Sequence, residues 1–202
     1  MTETMRIARA SEGDFRTVIG LIDEASAWLR DKDTDQWSAP WPDEAGRDAR
    51  VMRGLQGGKT WIIWHDGRPA ATMTIATRAN PAVWSRQACE CDLSERAVYV
   101  HRLITARDYA GWGLGAELID WAGVRGRRDY GARWVRIDVW TSNTALHDYY
   151  IKREFRRCGT CADPGYPSGA LFQKRVSRLA GSIPQFGESS AEFEMAGILV
   201  AA

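Results

Sequence analysis

Four sets of residues in this chain have types and spacings suited to chemistry. Gly111, Gly113 and Gly115 punctuate the run RDYAGWGLG just before an apolar helical pattern. The first N–H groups of a helix have no intrahelical partner and sit at the positive end of its dipole, so backbone there can hold a phosphate. The Lys-Ser/Thr pair of a nucleoside-triphosphate loop is absent. His101 lies midway along AVYVHRLIT. An ordinary imidazole, with a pKa of about 6.5, can take a proton near neutrality. Glu95 and Asp138 are its carboxylate rivals, and a histidine packed between strands is the structural alternative. Trp37 and Trp41 flank Pro40 in QWSAPWP. They could stack on an acceptor's ring or ammonium group, or seal the edge of a core. Trp84 and Trp140 are weaker candidates of the same kind. Cys89-x-Cys91 and Cys158-x-x-Cys161 offer four thiols. A closed zinc site would need the two pairs to meet, and Cys-x-Cys is the poorer half-site, so no metal is expected.

These residues need elements to position them. MRIARA reads as a first strand, and Ser11 with Asp14 as the capping box of a helix carrying Phe15, Val18, Ile19, Ile22 and Leu29 on one face. Pro40 and Pro42 break the link that follows, and a second helix is expected over about 43–55, closed by Gly57 and Gly58. TWIIWH, the Asp66-Gly67 turn and PAATMTIATR form a hairpin. After a polar loop, 97–105 is a strand with Tyr99, His101 and Leu103 on one face. The glycine run then opens a helix with Leu114, Leu118, Ile119, Trp121 and Ala122 as its buried stripe. Residues 133–140 are a further strand, and Asn143 caps a short helix with Leu146, Tyr149 and Tyr150 on one side. Closing strands are expected at 155–158 and 170–176. His65, beside the hairpin turn, is read as exposed, and His147 as off the face that carries Tyr150. The order β-α-α-β-β-β-α-β-α-β-β makes an α/β (mixed α+β) domain over 1–176, with 177–202 as an appendage.

AGWGLGAELIDWA resembles motif A of the GCN5-related N-acetyltransferases (GNAT), a Gln or Arg followed by two residues, Gly, one residue, and Gly or Ala. NTALHDYYIKREF resembles their motif B, with Asn143, Tyr150 and Phe155 at the matching spacing. The element order agrees from about 5 to 176. The resemblance implies the GNAT fold, a central mixed and mostly antiparallel sheet flanked by helices. It also implies acetyl-CoA as cosubstrate and acyl transfer to an amine by direct attack. The pantetheine arm would lie near Leu103, Ile104 and Thr105. The pyrophosphate would lie on the backbone of Ala110, Gly111, Trp112, Gly113, Leu114 and Gly115, and Asn143 would complete the cofactor side. Tyr150 matches the tyrosine that protonates the departing thiolate. The position of His101 is similar to a catalytic histidine of the arylalkylamine N-acetyltransferases, with Tyr99 in place of its partner and therefore beside the acceptor. Trp37 and Trp41 fall where the family covers the acceptor. Two departures stand out: Ala110 replaces the Gln or Arg of motif A, and Trp112 its usual basic residue. Side-chain grip on the phosphates would then be weaker, or be supplied by Arg107 or Arg125.

Composition bounds the partners. The 202 residues carry 27 Lys plus Arg against 26 Asp plus Glu, a net charge of +1. That balance argues against nucleic acid as partner. No apolar run is long enough to span a membrane and no export signal is seen, so a cytoplasmic protein with reduced thiols is expected. A small-molecule amine is the expected acceptor, with a homodimer left open. A protein or peptide acceptor would want an open groove instead of a tryptophan-covered pocket. A CoA-binding regulatory domain without catalysis is the alternative from another class.

Overall fold

The computed structural model describes residues 5–32, 34–178 and 187–188. Eight strands and four helices follow in the order β1 (Met5–Arg9), α1 (Phe15–Arg30), α2 (Glu44–Gln56), β2 (Thr60–His65), β3 (Arg68–Ala76), β4 (Ala97–Thr105), α3 (Leu114–Tyr130), β5 (Trp134–Val139), α4 (Thr144–Lys152), β6 (Arg156–Thr160), β7 (Ala170–Arg175) and β8 (Gly187–Glu188). They form one sheet, ordered β6-β7-β5-β4-β3-β2-β1-β8. Strands β1 to β4 are joined antiparallel, β4 and β5 run parallel, and β7 pairs antiparallel with both β5 and β6. The mixed, mostly antiparallel sheet of the sequence reading is therefore present. Of the appendage expected over 177–202, Gly187 and Glu188 add a short strand parallel to β1. Its last apolar run lies outside the described residues.

Local chemistry explains most element ends. The Ser11 N–H donates to the Asp14 carboxylate at 2.8 Å, and the Asp43 carboxylate accepts from Gly46 N–H at the start of α2. Gly131 closes α3 at φ 64°, its N–H reaching Arg127 O at 3.0 Å. Helix α3 lies close on the sheet at Gly126, where an added Cβ would sit 2.4 Å from Val98 Cγ1. The stripe Leu114, Leu118, Ile119, Trp121 and Ala122 is buried there, in the larger of two apolar cores. The smaller core lies beneath loop 77–96 and gathers Val83, Trp84, Tyr99, Trp134, Leu171 and all four cysteines.

Two departures from simple alternation matter for the site. The β3–β4 ladder shifts register: Thr72 faces Ile104, but Thr74 faces His101. Two β4 residues thus oppose one on β3, and Arg102 takes φ 49° to absorb the bulge. The period of two expected along 97–105 breaks at that point. The parallel β4–β5 ladder also stops early, at Val100–Ile137. Beyond that pair the two strands part, and the β4 edge is left without a strand partner on that side.

Cys89 and Cys91 are joined by a disulfide, where four reduced thiols were expected. Their Cα atoms are 5.3 Å apart across Glu90, within the reach of such a bond. Cys158 and Cys161 are free and buried.

Candidate active site

The parting of β4 and β5 opens two cavities. The first, about 760 Å³, runs along Leu103, Ile104, Thr105 and Arg107 to the N-terminus of α4 at Asn143 and Thr144. The second, about 620 Å³, lies over His101, Arg102 and Asp138 and is roofed by Trp37, Trp41 and Tyr166. Gln36, Trp37, Leu103, Leu146 and Tyr150 line both, so the cavities meet at these side chains.

His101 and Asp138 each lie one residue past the last β4–β5 pair, next to each other on one sheet face. His101 Nδ1 is 3.2 Å from Asp138 Oδ1. The other carboxylate oxygen accepts from Tyr166 Oη at 2.6 Å. Burial pushes the Asp138 pKa upward, but the charge and hydrogen bond of His101 and the bond from Tyr166 outweigh it and hold the carboxyl below its usual range. With Nδ1–H turned to Asp138, Nε2 is the ring nitrogen left for a substrate. The rival Glu95 is elsewhere, bonded to Trp134 Nε1 and 2.9 Å from Arg133.

Tyr150 is buried between the cavities, ring on edge against Phe155 at 5.4 Å. Burial, with the nearby Tyr149, raises its phenol pKa well above the ordinary value. It therefore keeps its proton through neutrality and can act as a donor. Its companion on the buried side of α4 is His147, whose Nε2–H donates to Trp140 O at 2.9 Å. Tyr149, expected on that side, is exposed, and His147, expected off it, is buried. His65 is not exposed as expected but half-buried, hydrogen-bonded to Tyr109 Oη at 3.1 Å.

Among the sequence candidates, Ile104, Thr105 and Asn143 line the first cavity and His101 and Trp41 the second, with Trp37, Leu103 and Tyr150 in both. Tyr99 lines neither, which corrects its expected place beside an acceptor. It shares a strand face with His101, but loop 77–96 covers that face at Tyr99. Its Oη there accepts from Arg136 and its ring meets Trp84 at 5.4 Å. Asn143 has structural work as well: its Oδ1 caps Leu146 N–H at 3.0 Å and its Nδ2 donates to Gln36 at 2.7 Å. The run from Ala110 to Gly115 lies outside both cavity linings and borders the first, since a Cβ added at Gly115 would touch Thr105 and Tyr149 at 3.8 Å. Gly111 and Gly113 take φ 86° and 80°, with open space where a Cβ would be. The Leu114 side chain is in the core and Trp112 packs on His65 and Tyr109, so backbone is what this loop offers an anion. Arg125 stacks on Trp61 and pairs with Asp129, and it lines neither cavity. Arg107, over the Trp28 ring at 4.1 Å, and Lys32 are the basic residues at the first cavity.

Sequence reasoning missed Tyr166 and Arg102. Tyr166 stands in loop 161–169, which has no periodicity to read. Trp41 stacks on it edge-on at 5.1 Å and donates from Nε1 to Gly165 O at 2.9 Å. Asp35 further ties the α1–α2 link down, accepting from Trp140 Nε1 and Ser142 Oγ, bonds that lower its own pKa. The second cavity is thus lined on one side by aromatic residues tethered to one another.

The profile of the acetyltransferase (GNAT) family matches residues 25–159, more than half of the chain. The chain belongs to the GNAT acetyltransferase family. It is 30% identical over 165 residues to the uncharacterized N-acetyltransferase YesJ of Bacillus subtilis (strain 168), covering 81% of this chain and 86% of that one. An acetyltransferase of the GNAT family from Listeria monocytogenes 4b F2365 superposes with a TM-score of 0.64 at 21% identity, over 85% of this GNAT chain and 94% of its own. The PaiA N-acetyltransferase from Thermoplasma acidophilum, solved in complex with coenzyme A, does so at 0.61 and 14% identity, over 85% and 99%. This GNAT protein is accordingly an acyltransferase with a GNAT fold. Among its described residues no helix is long and apolar enough to cross a membrane.

Proposed function

We propose that the protein moves an acetyl group from acetyl-CoA to a primary amine of a small molecule, by direct attack. The observation that carries this reading is the meeting of two cavities at Tyr150, with the His101–Asp138 pair in one and a glycine loop at the border of the other. The residues fit the cosubstrate. The unladdered β4 edge at Leu103–Thr105 suits an amide-bearing arm, and the open backbone from Ala110 to Gly115 suits a pyrophosphate. When bound, acetyl-CoA supplies the activated acetyl thioester. His101 Nε2 takes the proton that the acceptor's ammonium must lose, Asp138 keeps Nδ1 protonated, and Tyr150 Oη faces the departing sulfur as proton donor. Trp37, Trp41 and Tyr166 cover the acceptor, which favours a small molecule over a polypeptide.

Charge narrows the acceptor further. Arg102 Nε is shut off from solvent with no hydrogen-bond partner. Burial, and then the like charge of Arg50, push its pKa down to about 10, so the guanidinium stays charged at neutral pH. Arg50 lines the same cavity and stacks on Trp41 at 5.0 Å. The acids there are engaged, Asp23 by Arg47 and Asp138 by His101 and Tyr166. An amine that also bears a carboxylate suits these guanidiniums.

Acetyl-CoA should stabilise the fold. A ligand at about 100 times its Kd adds roughly 2.7 kcal/mol, a Tm rise of about 5–10 °C for a chain of this size. Gly113→Asp should abolish the rise, since it forces φ 80° on a side chain and puts a carboxylate where a phosphate must sit. An unmoved Tm in the wild type would remove the donor assignment. The acceptor is tested by thiol release over a panel of amines, with carboxylate-bearing members paired with their methyl esters. The acids should show kcat/KM higher by about 10-fold or more, the worth of one charge-assisted hydrogen bond. Arg102→Gln should erase that preference. Esters accepted equally well by the wild type would sink the anionic acceptor while leaving acetyl transfer intact.

A further inference from the structure

All four cysteines of the chain lie in the smaller core, more than 60 residues apart in sequence as two pairs and together in space. The cause is a piece of sheet. Cys89 bridges Gly159 antiparallel, Glu90 N–H donates to Cys158 O at 2.8 Å, and Thr160 N–H donates to Ala88 O at 2.9 Å. Gly159 permits this closeness, for a Cβ there would lie 1.9 Å from Ala88 O. The sulfurs of Cys89 and Cys158 are 4.0 Å apart, and those of Cys89, Cys91 and Cys158 all lie within 4.8 Å of one another. Four sulfurs about 2.3 Å from a tetrahedral zinc ion stand roughly 3.8 Å from each other. Cys161, three residues after Cys158, is buried in the same cluster, its Sγ 3.5 Å from Ala82 O.

A second observation points the same way. Arg136 is fully buried beside this core, and none of its hydrogen-bond partners is a carboxylate: Tyr99 Oη at 2.9 Å, Asp92 O at 2.7 Å and Gln173 Oε1 at 3.2 Å. A buried cation with neutral partners alone is costly. The Asp92 carboxylate acts on it only through space, and four thiolates on one divalent cation, with a net charge of −2, would add anionic charge beside it.

We infer that Cys89, Cys91, Cys158 and Cys161, when reduced, bind one structural zinc ion that staples loop 77–96 to β6. A thiol or phosphine reductant first opens the Cys89–Cys91 bond with two electrons and two protons. Zinc then replaces four thiol protons, and Cys161 Sγ swings from Ala82 to close the tetrahedron. The loop so held carries Trp84, which packs on Tyr99, and Asn80, which lines the second cavity. The zinc reading set aside for the sequence is restored by the meeting of the two pairs, which no local spacing could show.

The test is elemental analysis of the full chain, produced in zinc-supplemented medium and purified with a phosphine reductant and no chelator. One zinc per chain is the expected result. Cobalt in its place should give the visible spectrum of a tetrahedral tetrathiolate. Cys158→Ser and Cys161→Ser should each weaken zinc affinity by more than the roughly 10–100-fold typical of losing an outer-shell partner. Because a buried substitution can impair folding, the wild type is also melted with and without a strong chelator, and its Tm should fall on metal removal. Folded, reduced wild type with four titratable thiols and no zinc at saturating metal would overturn the inference. So would a Cys89–Cys91 bond that the reductant leaves intact.

Discussion

Replacing Tyr150 by phenylalanine should lower kcat by about 10²-fold or more while acetyl-CoA binding is unchanged, as judged by the thermal shift. The substitution is nearly silent for packing. Tyr150 rests on Phe155 and Phe172 with its ring, and those contacts survive in Phe. What is lost is a phenolic proton at the one buried side chain that joins both cavities. Burial raises that phenol's pKa, so wild type enters every turnover with the proton in place. A sulfur leaving without a donor departs as a bare thiolate, and the barrier rises accordingly. The measurement needs single-turnover conditions, in which product release does not mask chemistry. An unchanged single-turnover rate in Tyr150→Phe takes Tyr150 out of the mechanism.

The parts of this site that were legible in the sequence are those written in local periodicity. The apolar run TWIIWH before Asp66-Gly67 gave β2 its bounds, Thr60–His65, and AVYVHRLIT gave β4 its own, Ala97–Thr105. Asn143 caps α4 as its type and place suggest. The misreadings each have a physical cause. Helix α4 has nine residues, too few turns to define an apolar face, so His147 and Tyr149 exchanged places. Tyr99 and His101 point to the same side of β4, but only long-range packing decides that loop 77–96 covers one and leaves the other open. The bulge at Arg102 is a register difference between two strands, invisible in either alone. Tyr166 and the convergence of the cysteine pairs likewise depend on contacts between segments far apart in the chain.

Replacing His101 by alanine should cut kcat/KM for the acceptor by about 10²-fold or more and remove the rising limb of its pH profile, while acetyl-CoA still binds. The sign follows from the role. A base works only when unprotonated, so the wild-type rate at low acceptor concentration climbs with pH as the imidazole loses its proton. Asp138 does not produce that limb. The His101 contact and the Tyr166 hydrogen bond hold its pKa below the ordinary carboxylate range, so it is already ionised throughout. The acceptor's own ammonium also titrates, and its limb stays in the variant, which is why the comparison is made between proteins on one amine. Asp138→Asn separates positioning from proton transfer. Its amide can present N–H to Nδ1 and favour the tautomer that leaves Nε2 protonated, the wrong atom for accepting. The expected result is a rate lowered by about 10-fold or more. Identical profiles for wild type and His101→Ala would leave the acceptor to lose its proton to water, with the pair at β4 and β5 serving only to shape the cavity.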